Sequence, residues 1–168
     1  MTAALIAAWA AVVAALAACV SLWLQTHNSR FALGVDLLFK MDDRFNSPSM
    51  VAKRKLAAAA LLKNENLENA EDVWDFFETL ELLIRRKALD REMVWHTFFY
   101  WIDGYWNASR LHIAAEQEEH PTVWADFRNL YRRVLATEER ELAKKGGRYK
   151  EPDTAEFLKE EMEIPATL

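Results

Sequence analysis

The chain contains one cysteine, Cys19, and only four glycines and four prolines in 168 residues. A single cysteine excludes an internal disulfide and any metal site built from several thiolates. The scarcity of glycine and proline leaves little material for β-hairpins, whereas alanine, leucine, glutamate and lysine, which favour helices, are frequent. The sequence therefore predicts an all-α fold.

Charged side chains are absent before Arg30, and the remainder of the chain is mildly acidic, with a formal net charge of -5. This balance does not indicate the basic surface that binds nucleic acid, so no nucleic-acid partner is expected. A hydrophobic content of 52% in 168 residues is enough to build one core, but not two. We therefore expect one folded domain preceded by one N-terminal segment.

The N-terminal segment is an apolar run from Ala3 to Leu24 in which Ser21 is the only clearly polar side chain. As a helix it would be about 33 Å long, and the hydrocarbon core of a bilayer is about 30 Å thick. Basic residues occur only after this run, which predicts that the N-terminus lies outside and the remainder lies in the cytoplasm. The sequence thus predicts a single transmembrane anchor over residues 1–29 in a prokaryotic inner membrane.

A cleaved signal is the competing interpretation of the same run. The residues Leu16–Cys19 resemble a bacterial lipoprotein signal, in which Cys19 would be lipidated and the domain exported. A secretory signal normally begins with basic residues, and none occurs here. Apolar residues also continue beyond Cys19, which a lipidated N-terminus does not require. We prefer the uncleaved anchor, and the lipidation of Cys19 stays open.

Small residues recur every four positions along the predicted anchor, a spacing that lets a second helix approach closely. They form two rows, Ala3, Ala7, Ala11 and Ala15, and Ala10, Ala14 and Ala18. We expect helix packing along these rows, either between copies of the chain or with a larger integral membrane protein. An alanine-rich helix without a partner remains the alternative.

After the anchor, residues 30–147 predict a bundle of about five helices, and residues 148–168 predict an acidic tail with one short helix. The first helix continues to Phe45. The expected ranges of the others are 48–63 after Ser47, 70–87 after Asn69, 91–119 after Asp90, 122–145 after Pro121, and about 154–162 after Asp153. The short last helix is expected to be loose or to dock on a partner.

A series of residues at characteristic spacings, many of them aromatic, gives the chain a family resemblance. The series is Val73-Trp74-Asp75-Phe76-Phe77-Glu78, Leu83, Leu89-Asp90, Val94-Trp95, Tyr105-Trp106, Arg110, Trp124, Phe127 and Leu130. Between about Arg30 and Leu135 the sequence resembles a family of small prokaryotic proteins described only as a domain of unknown function. The resemblance implies an N-terminal membrane helix followed by a helical domain, and it implies no activity.

Five polar residues are candidates for a site: Glu78, His96, Asp103, Asn107 and Arg110. The last four fall on one side of the fourth helix, opposite its aromatic side. This stripe could bind a ligand or a partner, although the solvated side of an amphipathic helix is the simpler interpretation. Glu78 of the third helix is expected to be half-buried and paired with Arg110 across the bundle, as a structural salt bridge rather than a general base.

Templates for catalysis and metal binding are missing from the sequence. Glutamate and histidine occur four residues apart at Glu92–His96, His112–Glu116 and Glu116–His120, but the Glu-x-x-His motif of di-iron bundles is absent. There is also no glycine-rich phosphate loop and no Gly-x-Ser-x-Gly nucleophile motif. We predict no catalytic residue, no metal site and no cofactor, and we do not expect an enzyme.

Six basic residues downstream of the anchor are candidates for contact with anionic lipid headgroups, at about 1 kcal/mol each. They are Arg30, Lys40, Arg44, Lys53, Arg54 and Lys55.

Together these features predict a membrane-anchored accessory or adaptor subunit, which associates with a larger membrane protein complex, or with itself, through its alanine-rich helix and its bundle. The alternative is a membrane-tethered sensor or enzyme with a small-molecule pocket among five tryptophans of the bundle, Trp74, Trp95, Trp101, Trp106 and Trp124.

Overall fold

The computed structural model describes residues 2–165, except for the side chains of residues 2–8, 10–15 and 26–28. Within that range the fold is all-α, as predicted, and contains no strand. The helices are α1 (Thr2–Phe45), α2 (Pro48–Lys63), α3 (Glu71–Arg85), α4 (Arg91–Glu119), α5 (Ala125–Lys144) and α6 (Thr154–Glu163), with a 3-10 turn at Leu67–Ala70.

The chain divides into two compact units. The first ends at Asp36 and contains most of α1. The second begins at Leu37 and contains the end of α1 and all the other helices. The predicted boundaries at residues 29 and 147 therefore differ from the observed division, which places the tail helix α6 in the same unit as the bundle.

The expected transmembrane anchor is wrong: no helix within the described residues combines the length and the apolar character that a membrane crossing requires. The single-pass topology and the inner-membrane location, which were predicted from the anchor, are therefore wrong as well.

The rows of small residues fall largely outside the described side chains. This applies to Ala3, Ala7, Ala10, Ala11, Ala14 and Ala15, whereas Ala18 is described and exposed. Helix packing along these rows stays a prediction.

Three predicted helix starts are confirmed by their capping side chains. Ser47 accepts a hydrogen bond from the Met50 N–H at 3.4 Å and is followed by Pro48, the first residue of α2. Asp90 accepts from the N–H of Glu92 at 2.8 Å, and Asp153 accepts from the N–H of Ala155 at 3.0 Å. Each cap satisfies an N–H that has no partner within its helix.

Two predicted helix starts are wrong. Asn69 lies within the 3-10 turn, and Ala70 occupies the N-cap position of α3 without a side-chain bond. Helix α5 begins at Ala125 rather than at residue 122, because Trp124 adopts a left-handed conformation with φ 47°. The Trp124 ring packs against Trp74 at a centroid distance of 4.5 Å, and this tertiary contact accompanies a backbone conformation that helical periodicity would not select.

The core of the second unit is an aromatic cluster at which the end of α1 meets α3, α4 and α5. Phe45 contacts Phe76 at a centroid distance of 4.7 Å, and Phe77 stacks on Phe127 at 4.9 Å. These four rings and Phe98 are fully buried. Aromatic pairs of this kind add about 0.5–1.5 kcal/mol beyond the burial of their area.

Helix α6 packs against α2 and α4, although the sequence suggested a loose or partner-bound tail. Its side chains Phe157, Leu158 and Glu161 are buried. The Phe157 ring lies against Gly104 of α4, where an added Cβ would be 2.4 Å from the ring. The absence of a side chain at Gly104 is therefore what lets Phe157 reach this position.

We expect Gly104→Ala to destabilise the protein. Overpacking costs about 1–3 kcal/mol, and the better helix propensity of alanine returns about 1 kcal/mol, so a net loss of about 1 kcal/mol should appear in urea unfolding. Gly147→Ala is the matched control, because a Cβ there meets its nearest atom at 3.5 Å, an ordinary contact. A Gly104→Ala protein more stable than the natural one would contradict the observed packing.

Candidate functional site

A buried ion pair lies where α2, α4 and α6 meet. Arg54 and Glu161 are each 2% exposed. The Arg54 guanidinium donates from Nε to Glu161 Oε2 at 2.8 Å and from Nη2 to Oε1 at 2.6 Å. This two-pronged geometry is the strongest arrangement available to an arginine and a carboxylate, and it also fixes their orientation.

The groups around the ion pair satisfy both charges. Trp101 Nε1 donates to Glu161 Oε1 at 3.1 Å, and the Tyr105 hydroxyl donates to Oε2 at 2.7 Å. Burial raises the pKa of Tyr105 well above its ordinary value, so this hydroxyl remains a donor. The guanidinium carbon of Arg54 lies 4.2 Å from the Phe45 ring centroid, a cation–π distance. Glu161, which is almost fully buried, therefore accepts four hydrogen bonds.

The prediction that Arg54 contacts lipid headgroups is wrong, because its side chain is buried. Its neighbour Lys53 is exposed and pairs with Asp72 at 2.7 Å. Arg30, Lys40 and Arg44 are exposed, and Lys55 is partly exposed. Arg54 was missed because it lies between two lysines, yet it shares the inward face of α2 with the buried Val51 and Ala58. The spacings of three and four residues between Val51, Arg54 and Ala58 were the sequence signal that Arg54 faces inward.

The predicted polar stripe of α4 is only partly brought together. Asp103 accepts hydrogen bonds from Asn107 Nδ2 at 2.8 Å and from the Tyr149 hydroxyl at 2.6 Å. It is 6% exposed, and burial raises the pKa of its carboxyl. His96 is exposed, and Arg110 is exposed and pairs with Glu151 at 3.1 Å. The segment after α5 thus covers the middle of a face that the sequence suggested was solvated.

Glu78 is half-buried, as expected, but it does not pair with Arg110. Its Oε1 accepts the backbone N–H of Asp126 at 3.1 Å, in the first turn of α5, where the helix dipole favours negative charge. Burial raises the pKa of Glu78. One turn further along α3, Glu81 is buried and accepts from Arg133 Nε at 2.9 Å, while its Oε2 has no partner. The sequence analysis did not single out Glu81.

The five tryptophans of the bundle are mainly packing residues. Trp74 donates to Ser109 Oγ at 2.8 Å, Trp95 donates to Glu138 Oε2 at 2.8 Å, and Trp106 stacks on Tyr131 at 5.2 Å. Trp101 lines a cleft of about 300 Å³ beside the ion pair. The other lining residues are Asn46, Arg54, Tyr100, Glu160, Glu161 and Ile164. The Tyr100 hydroxyl donates to Glu160, so the polar groups of this cleft largely bond one another.

Metal-binding side chains are not grouped in the part of the chain that the structure describes. No set of three or more histidine, cysteine, aspartate or glutamate side chains lies close enough there to hold an ion. The closest histidine–carboxylate pair along a helix, His120 and Glu116, is separated by 4.0 Å and exposed to solvent.

The buried ion pair predicts strong coupling between Arg54 and Glu161. Arg54→Met or Glu161→Met should each lose about 3–5 kcal/mol in chemical unfolding, because each leaves an uncompensated buried charge. The double variant should lose less than Glu161→Met alone. The matched control is Arg110→Met with Glu151→Met, an exposed pair worth at most about 1 kcal/mol. Additive losses for Arg54 and Glu161 would contradict the coupling.

Two tyrosine–carboxylate bonds give a second prediction. Tyr149→Phe removes a hydrogen-bond donor from the buried Asp103 and should lower the free energy of unfolding by about 1.5–3 kcal/mol at pH 7. Tyr100→Phe removes a donor from the exposed Glu160 and should lower it by less.

The pH dependence of the Tyr149→Phe variant checks its cause. A carboxyl with a raised pKa in the folded state binds its proton more tightly when folded, so stability falls as pH rises from 3.8 through the raised value. Losing the Tyr149 donor raises the pKa of Asp103 further, which should steepen that fall. Equal pH profiles of unfolding for Tyr149→Phe and Tyr100→Phe would refute this assignment.

Comparison with known proteins identifies a family but no characterised relative. No curated protein matches the chain, and no solved structure matches it. Residues 1–134, which end within α5, match a family described as a domain of unknown function, DUF4760. This match agrees with the resemblance carried by the aromatic spacings and adds no activity. The chain belongs to the DUF4760 family.

Proposed function

We propose that the chain is a non-enzymatic accessory or adaptor subunit, which binds a larger protein assembly through the apolar helix of its first unit. The observation that carries this proposal is the exposure of large apolar side chains along α1. Leu16 is 61% exposed, Phe31 60% and Leu33 67%. Trp9, Val20 and Leu24 are exposed as well. Monomeric proteins rarely present so many large apolar side chains on one element, and such surfaces typically bind a partner.

The placement of these residues around α1 favours a partner with several helices. At about 100° per residue, Leu16, Val20 and Phe31 lie on one side of the helix, and Leu33 lies about 160° from Phe31. A single second helix covers a stripe of roughly 100°. One further copy of α1 would therefore leave part of the apolar surface in water. An assembly that packs helices on two sides of α1 covers both groups.

The second unit supports an adaptor role rather than an enzymatic one. Its candidate polar residues either bond one another, as Asp103 and Asn107 do, or hold helix ends and surface ion pairs, as Glu78 and Arg110 do. Its aromatic residues fill the core or bond neighbouring side chains. Such a unit can present a surface of fixed shape to a partner.

Photocrosslinking in cells of the natural host tests this proposal. A benzoylphenylalanine at position 31 or at position 33 should give adducts with the same partner protein, because both sides of α1 are covered in the assembly. The same probe at Arg132, an exposed position on α5, is the control. In a triple variant that carries Leu16→Gln, Val20→Gln and Phe31→Gln, the yield of the adduct from position 33 should fall at least tenfold. Thermal unfolding of the second unit should not change, since none of these residues belongs to its core.

The adducts themselves decide the outcome. One common protein at positions 31 and 33, lost in the triple variant, supports the proposal. Adducts only between copies of the chain, only with lipid, or with equal yield at position 132 contradict it.

A further inference from the structure

Helix α6 sits between α2 and α4 in the manner of a bound peptide. It has ten residues, and its buried side chains are Phe157, Leu158 and Glu161. On a helix, residues separated by three or four positions share one face, so these three side chains project together. A short amphipathic helix laid into a groove by a few anchors is a common mode of peptide recognition.

The groove has features that match two of these anchors, Phe157 and Glu161. Gly104 leaves room for the Phe157 ring, which makes edge contacts with Tyr100 and Tyr105 at 5.4 Å and 5.2 Å. At the far end Arg54 binds the carboxylate in two-pronged fashion. Arg54 is 2% exposed with α6 in place, and without a carboxylate opposite it the guanidinium would lose both of these charge-assisted hydrogen bonds.

The groove and its occupant are separate parts of the chain. Arg54, Trp101, Gly104 and Tyr105 all lie within the residues that match the family, 1–134, and α6 lies outside them. The connection between α5 and α6 is irregular over residues 145–153 and includes Gly146 in a left-handed conformation with φ 73°. Helix α6 is thus tied to the bundle by an irregular connection, which itself contacts α4 through Tyr149 and Glu151, and by its own contacts.

From this arrangement we infer that the groove between α2 and α4 recognises an amphipathic helix of a partner protein, and that α6 is the in-chain segment which that helix displaces. The partner helix carries an aromatic residue, a branched aliphatic residue next to it, and a glutamate four residues after the aromatic one. Its glutamate replaces Glu161 on Arg54. One guanidinium binds one carboxylate in this two-pronged way, so α6 leaves as the second carboxylate enters. This surface belongs to the second unit, whereas the proposed function rests on exposed side chains of the first unit, so the inference and the proposed function can fail independently.

A fluorescent peptide of residues 150–165 serves as the probe, and the full chain carrying Glu161→Ala serves as the receptor. That substitution weakens the internal α6 and leaves the groove intact. The peptide should bind the Glu161→Ala chain at least tenfold more tightly than the natural chain, as measured by fluorescence anisotropy. A peptide carrying Glu161→Gln should bind at least tenfold more weakly, because the amide lacks the charge that pairs with Arg54. Adding Arg54→Ala to the receptor should abolish the preference for glutamate.

Circular dichroism and thermal unfolding establish that each receptor is folded. Should Glu161→Ala fail to fold, Phe157→Ala gives a second receptor in which Arg54 is retained and α6 is weakened at another anchor. Binding that ignores the Glu161→Gln change in the peptide, or that persists equally without Arg54, would overturn the inference. So would a natural chain that sedimentation shows to be a dimer lost on Arg54→Ala, since the occupant would then be α6 of a second copy.

Discussion

Arg54 and Glu161 carry opposite charges and are almost fully buried, and the other contacts of α6 depend on how those charges are satisfied. Removing an ion from water costs several kcal/mol even after relaxation, so attraction alone does not make such a pair favourable. Here the carboxylate also accepts from Trp101 and Tyr105, and the guanidinium lies over the Phe45 ring. These groups come from the end of α1, from α2, from α4 and from α6, so the site is complete only when all four elements are in place.

The ion pair also fixes the register of α6. A shift by one residue would turn the helix by about 100° and carry Glu161 away from Arg54, and it would move the Phe157 ring off Gly104. An apolar contact alone tolerates several registers, because hydrophobic attraction has no direction, whereas a two-pronged hydrogen-bonded pair tolerates one. Polar burial therefore supplies specificity to a helix of ten residues that is too short to be stable alone.

Sequence reasoning succeeded where the decisive interactions are local. The caps Ser47, Asp90 and Asp153 bond backbone groups two or three residues away, and the ranges of α2 and α4 followed from them. It failed where the partner is distant along the chain. Glu161 is 107 residues from Arg54, and Tyr149 is 46 residues from Asp103, so neither buried contact leaves a local pattern. The expected anchor was contradicted as well, since no helix within the described residues qualifies as a membrane span.

The two units differ in what they leave unsatisfied. In the second unit, the buried side-chain nitrogen and oxygen atoms of the described residues have partners apart from three, Glu81 Oε2, Asn107 Oδ1 and Arg128 Nε. In the first unit, each large apolar side chain left in water forgoes about 1.5–3 kcal/mol of burial free energy. Exposed side chains of this kind on α1 include Trp9, Leu16, Val20, Leu24, Phe31 and Leu33. The free energy gained by burying these side chains exceeds the cost of immobilising a partner only when several of the side chains are covered together. A contact made by one side chain at a time would be weak, which is why the proposed assembly must enclose α1 rather than touch it.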